Sequence, residues 1–320
     1  MRYLLVLVLA LWGTALAADY ADFERAFLER SPALVAARSD VDVARERVAA
    51  LTGDPYASPY EREVAADALT RARARLKERL ADLKQQAFRR YSAVVVARAQ
   101  LERARAWTAQ TAIAYEAAKI KAAEGAIAAY EVEKARIAWE DARLAEARAE
   151  AQLAEARAEV SRYGSFEAAT IPEVEAPAPL AIEQHPTYVY AELDVRAAER
   201  AYRAGLGPDT PAQQRNWLKT RLEAARNRLE SLKASLTSEL DLRIREVKTA
   251  SDSLELKTAA LASRQEAYQA AKLRYQRGLI SELMLKQALA ALRAAELDVV
   301  RSRAALGSAK LALLPFEVEN

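Results

Sequence analysis

The chain contains no cysteine, one histidine, and only 8 glycines and 10 prolines in 320 residues. Without cysteine there are no disulfides, no thiolate nucleophile and no thiolate metal site. A lone histidine, His185, leaves no His pair for metal binding. There is no Gly-rich phosphate loop, no H-E-x-x-H and no acidic cluster with calcium-loop spacing. Neither charge dominates: 48 Lys+Arg stand against 45 Asp+Glu, which is not a nucleic-acid footprint. Apolar runs are short as well. The longest, YLLVLVLALW after Arg2, is too short to span a bilayer. With Ala15-Leu16-Ala17 behind it, this run predicts a secretory signal peptide over 1–17 and an exported chain starting at Ala18 or Asp19. The carboxylates on these Ala-, Arg- and Glu-rich segments are expected to be solvated surface charges. The chain is therefore expected to be a non-enzyme with no cofactor and no metal.

Because breaks are scarce, the few that exist organise the chain. SPALVAARSDVDVARER (31–47) returns as HPTYVYAELDVRAAERA (185–201), and Pro32/Pro186, Val35/Val189 and Asp40/Asp194 coincide. AYEAAKIKAAEG (114–125) returns as AYQAAKLRYQRG (267–278), and Tyr115/Tyr268, Lys119/Lys272 and Gly125/Gly278 coincide. Ala-rich helices match one another by chance, but two blocks in the same order at nearly the same offset point to a duplication. The predicted domains are 18–164 and 185–320, joined by a Pro-rich linker over 165–184.

Each half predicts a helix of about 20 residues, a Pro/Gly break, a helix of roughly 65 residues, a glycine turn and a last helix of about 36 residues. The breaks are TGDPYASPY (52–60), with Gly53, Pro55 and Pro59, and GLGPDTP (205–211), with Gly207, Pro208 and Pro211. At ~1.5 Å per residue the long helix spans on the order of 100 Å, so it needs equally long neighbours. The fold class is all-α, with long antiparallel coiled-coil helices.

The segment 126–163 carries two opposed seams. Val132, Ala135, Trp139, Ala142, Glu146, Ala149, Leu153, Ala156, Val160 and Tyr163 alternate at four and three residues, with Glu146 the misfit. Tyr130, Ile137, Leu144, Ala151 and Ala158 recur every seven residues on nearly the opposite face. Two seams mean a neighbour on each side, as in a cylinder of helices. The alternative is that Ala on both faces only reflects an Ala-rich composition. At the turns, Gly278 is expected to end its helix in the left-handed region, with Ser281 capping the next helix and Glu282 near its positive end. In the first half Ala128 replaces that serine, while Glu131 keeps the first-turn acid.

The signal peptide, the repeated order of helices and the phrases LRYQRGLISELMLKQALAAL and KIKAAEGAIAAYEVEKARIAW resemble the TolC family of outer-membrane efflux proteins. The resemblance implies a homotrimer whose long helices form a periplasmic tunnel. It implies docking of a periplasmic adaptor and an inner-membrane pump at the glycine tips, here Gly125, Ala126, Gly278, Leu279 and Ser281. It also implies that the linker wraps the tunnel's equator.

One departure is large. Family members carry two transmembrane strands between the short and long helix of each half, whereas these breaks are short and contain prolines that cannot donate to a β ladder. The expectation is a tunnel protomer without its barrel strands, whose outer-membrane end is reduced or supplied by an outer-membrane partner. The alternative is a periplasmic coiled-coil scaffold or adaptor-like tether. A lipid-binding amphipathic protein fits less well, because the apolar stripes are narrow.

Overall fold

A computed structural model describes residues 19–318, and the expected signal peptide lies outside them. Seven α-helices follow one another: α1 (19–29), α2 (Pro32–Gly53), α3 (Pro59–Ala123), α4 (Ala129–Ser161), α5 (Pro186–Ala204), α6 (Ala212–Gln276) and α7 (Glu282–Leu311). Both long helices have 65 residues. Alanine, arginine, glutamate and leucine are strong helix formers, and Pro32 and Pro186 occupy the first turn, where no N–H is missed. Among the described residues there is no strand, only an isolated bridge between Leu180 and Glu317.

Two expectations need correction at their edges. The segment read as a helix over 126–163 is helical only over Ala129–Ser161, and its counterpart α7 has 30 residues. The first break is also shorter. Gly53 is the last helical residue of α2 and Pro59 the first of α3, so only residues 54–58 separate them. Proline at the first helical position begins a helix rather than interrupting one.

The chain forms two compact units, each assembled from segments of both halves of the sequence. The first comprises residues 19–24, 87–173 and 248–308. It centres on aromatic rings: Phe23 packs near Tyr91, Tyr163 and Phe166 at centroid distances of 5.7, 5.8 and 5.4 Å. The buried Tyr91 hydroxyl donates to Asp19 Oδ2 at 2.7 Å, which satisfies a polar group that would otherwise be costly to bury. Within this unit α3 and α4 form an antiparallel hairpin. Arg90 pairs with Glu159 and Arg105 with Glu150, the Thr108 hydroxyl donates to Ala142 O, and Tyr115 stacks on Trp139. α7 flanks α3 in the antiparallel sense, with Gly307 against Phe88.

The second unit comprises residues 25–86, 174–247 and 309–318. Val195, Ala198 and Leu222 form a core extended by Tyr202, Ala225 and Leu229. The end of the linker lies against the C-terminal segment: Ala181 N–H donates to Phe316 O at 2.8 Å and Val318 N–H to Pro179 O at 3.0 Å. Lys77 holds both, its ammonium donating to Gln184 O at 3.0 Å and Glu317 O at 2.6 Å.

Burial differs sharply between the two long helices. α3 buries residues along most of its length, from Ala65 to Thr111. α6 buries only Leu218, Leu222 and Leu236, and leaves Leu242, Ile244 and Leu256 exposed. Equal length in the sequence thus does not give equal partnership in the isolated chain.

Candidate functional site

The two glycine turns are built alike, atom for atom. At the end of α3, Ala126 N–H donates to Lys121 O at 2.8 Å and Gly125 N–H to Ala122 O at 3.0 Å. At the end of α6, Leu279 N–H donates to Arg274 O and Gly278 N–H to Tyr275 O, both at 2.9 Å. Each is a Schellman motif, which satisfies otherwise orphaned carbonyls and needs a left-handed residue after the cap. Gly125 (φ +75°) and Gly278 (φ +71°) supply it. No heavy atom would lie within 4 Å of a Cβ at either position, so backbone conformation rather than crowding calls for glycine.

The next helices start differently. Ser281 Oγ accepts the Met284 N–H at 3.3 Å, as expected for a cap, whereas Ala128 caps α4 with no side-chain bond. Both turns belong to the first compact unit, and the antiparallel course of α4 and α7 beside α3 directs them to the same end of it. Leu279 is 68% exposed, and Ile120, Tyr130, Leu273 and Met284 are exposed nearby.

The seams of α4 separate cleanly. Every member of the first, from Val132 to Tyr163, is buried or half-buried, and Ala142, Ala149, Leu153 and Val160 are fully covered. Even the misfit Glu146 is half-buried, near Arg105 at 3.8 Å. Every member of the second is exposed, with Tyr130 at 69%, Ile137 at 49% and Leu144 at 50%. One face is covered by this chain; the opposite face has no neighbour among the described residues.

The Pro/Gly breaks lie together at one end of the second unit. Arg203 of α5 pairs with Glu63 of α3 at 3.5 Å, while Arg200 and Arg196 converge on Asp67, which brings the start of α3 beside the end of α5. The five-residue break is internally organised. Asp54 Oδ1 accepts the Tyr56 N–H, and Ser58 with Glu61 forms a capping box. Those bonds hold the Glu61 carboxyl below the usual carboxylate range. Arg62 donates to Leu51 O and Asp54 O and closes the turn. Pro55 lies in this turn, and Gly207 and Pro208 lie in the second break, which Pro211 ends just before α6.

Neither Gly53 nor Gly207 has a positive φ. The glycine that matters at the second break is Gly205, because a Cβ there would sit 2.2 Å from Leu218 Cδ1. Sequence reasoning passed over Gly205, Gly307 and the capping box. S-P-Y-E (58–61) was a legible signal for the last, but close approach across helices leaves no local mark.

His185 caps α5, its Nδ1 accepting the Thr187 N–H at 3.3 Å, and its ring packs 4.7 Å from Phe316. Burial pushes its pKa below the ordinary imidazole value. Among the described residues no group of His, Asp and Glu is placed to hold a metal ion, and no helix is long and apolar enough to cross a membrane.

Similarity to known proteins is carried by fold. No protein-family model and no curated protein sequence matches the chain. Solved structures do. The Campylobacter jejuni CmeC outer membrane channel superposes with a TM-score of 0.64 at 12% identity, over 93% of this chain and 85% of that one. The outer membrane protein VceC of Vibrio cholerae gives 0.59 at 15% identity, over 94% and 97%. A membrane protein from Pseudomonas aeruginosa gives 0.59 at 18% identity, over 94% and 90%. The chain has the TolC-like fold that its sequence resembles. It has that fold with five- and seven-residue connections where a membrane hairpin would need more than ~20 residues.

Proposed function

We propose that this protein is the protomer of a TolC-like helical tunnel in an envelope-spanning efflux or secretion assembly. The observation that carries the reading is the asymmetry of α4, whose inner seam is covered while Tyr130, Ile137 and Leu144 face outward at heptad spacing. A second copy supplies the missing neighbour, and closing the ring with a third copy gives a homotrimer. The chain is exported to the periplasm and associates with the outer membrane. Its two halves are tandem repeats, and the 165–184 linker lies at the equator of the tunnel.

The turns at Gly125–Ala126 and Gly278–Leu279, with Ser281, form the tip that meets a periplasmic adaptor and an inner-membrane pump. Exposed apolar side chains beside two turns with the same backbone hydrogen bonds suit such docking. The Pro/Gly breaks carry no barrel strands, and an outer-membrane partner completes the assembly there. The protein makes and breaks no bonds: it acts as a solvent-filled conduit that partners open by shifting the tips.

Sedimentation of the purified mature chain tests the reading. A trimer at micromolar concentration supports it, and a persistent monomer overturns it. The strand-free breaks favour a second reading, a periplasmic scaffold or tether with no conduit. Planar-bilayer recordings separate the two, since discrete channel events exclude the scaffold.

A further inference from the structure

Several arginines on and beside α4 are matched by carboxylates: Arg90 by Glu159, Arg136 by Glu133 and Glu140, and Arg162 by Glu159. Arg105 alone reaches Glu102, Glu146 and Glu150 at 3.5, 3.8 and 3.1 Å. Two residues earlier on α3, the pattern stops. Arg103 lines a groove of about 270 Å³ together with Arg148 of α4 and Arg301 of α7, and no carboxylate lines it. None of these three arginines has an ion pair or a side-chain hydrogen bond among the described residues.

The helices themselves explain this. Positions three and four residues from Arg103 and Arg148 hold only Ala, Leu, Gln and Trp, so no i,i+3 or i,i+4 partner exists. Asp298, three residues before Arg301, lies 3.6 Å from Lys257. Trp107 stands in the same groove with 40% of its surface exposed, over a floor that includes the buried Ala149 and Leu297. Gln100 and Gln152 add amide donors at its edges.

We propose that this groove is a binding site for a small organic anion carrying a flat ring. Three helices from different parts of the chain bring three exposed arginines to one groove that no carboxylate lines, so an anion held there is attracted by all three. Guanidinium forks match sulfonate, carboxylate and phosphate oxygens in a bidentate way. The indole offers a stacking face, and the Ala/Leu floor takes the apolar body. The volume admits one ring system with its acidic group, near the lower end of ligand-pocket sizes. The assignment concerns binding alone and holds whether or not the protein conducts.

Calorimetric titration of the mature chain with naphthalene-2-sulfonate tests it, with 2-naphthalenemethanol and sodium sulfate as ring-only and anion-only probes. The sulfonate is expected to bind once per chain, at least tenfold more tightly than either partial probe, and to weaken as salt rises. The triple variant Arg103→Gln/Arg148→Gln/Arg301→Gln should lose at least tenfold in affinity, and Trp107→Leu should lose severalfold. Equal binding of sulfonate and alcohol, or an unaffected triple variant, overturns the proposal. So does absence of sulfonate binding; if the triple variant then also sediments as smaller species, a second copy's carboxylates occupy the groove instead. The two partial probes are compared on the unaltered protein, so the test survives any variant that fails to fold.

Discussion

Gly307 of α7 lies so close to Phe88 of α3 that a Cβ would stand 2.2 Å from Phe88 Cζ. A glycine inside a helix normally costs about 0.5–1 kcal/mol relative to alanine. Here it lets the fully buried Phe88 ring lie against the backbone of a neighbouring helix. Gly307→Ala should therefore destabilise by about 1–3 kcal/mol through overpacking, despite the better helix propensity. Urea unfolding measures this. Combined with Phe88→Ala, the loss should fall short of the sum of the two single losses, because the smaller side chain makes room for the methyl.

The glycines should divide by backbone conformation. Gly125→Ala and Gly278→Ala should each cost on the order of 1–2 kcal/mol, since both lie in the left-handed region. Gly53→Ala, at the end of α2 with nothing within 4 Å, should be neutral or stabilise by up to about 1 kcal/mol. Thermal melting of the three variants checks the ordering, and equal effects would refute it.

The two turns also differ in their caps, and exchange should show it. Ser281→Ala should cost about 0.5–2 kcal/mol, and Ala128→Ser should recover a similar amount at the start of α4. Hydrogen exchange of the first-turn amides gives a local readout beside global stability.

His185 should make stability depend on pH. Its folded-state pKa is depressed, chiefly by burial, so the folded protein favours neutral imidazole and the unfolded chain binds the proton more readily. The contribution is present above the ordinary imidazole value near ~6.5 and is lost as pH falls through that value toward the folded pKa. Protonation also removes the Nδ1 acceptor that caps α5. His185→Asn keeps a capping oxygen and should flatten the slope of stability between roughly pH 7 and 5. Denaturant titrations across that range measure it.

The exposed seam should matter to assembly more than to the folding of one chain. Ile137→Asp with Leu144→Asp should leave helicity nearly unchanged, because both positions are exposed, and should shift the sedimenting species to monomer. Ala142→Asp, on the buried seam, should instead lower the melting temperature.

Much of the architecture is local, and for that reason it was legible in the chain. Scarce proline and glycine mark the helix ends. Helical periodicity sets the two 65-residue helices, and Gly125 and Gly278 announce left-handed turns before any partner is known. Both seams of α4 were visible as heptad stripes as well. Which of them the chain covers itself, and which it leaves open, was not visible. That depends on where α3 and α7 lie, and a stripe of alanines reads alike on either face. The same limit hid Gly205 against Leu218, Gly307 against Phe88, and the meeting of Arg103, Arg148 and Arg301. Helix formation follows from interactions a few residues apart. Close approach and charge convergence come from residues tens to hundreds of positions apart, so only the packed structure decides them.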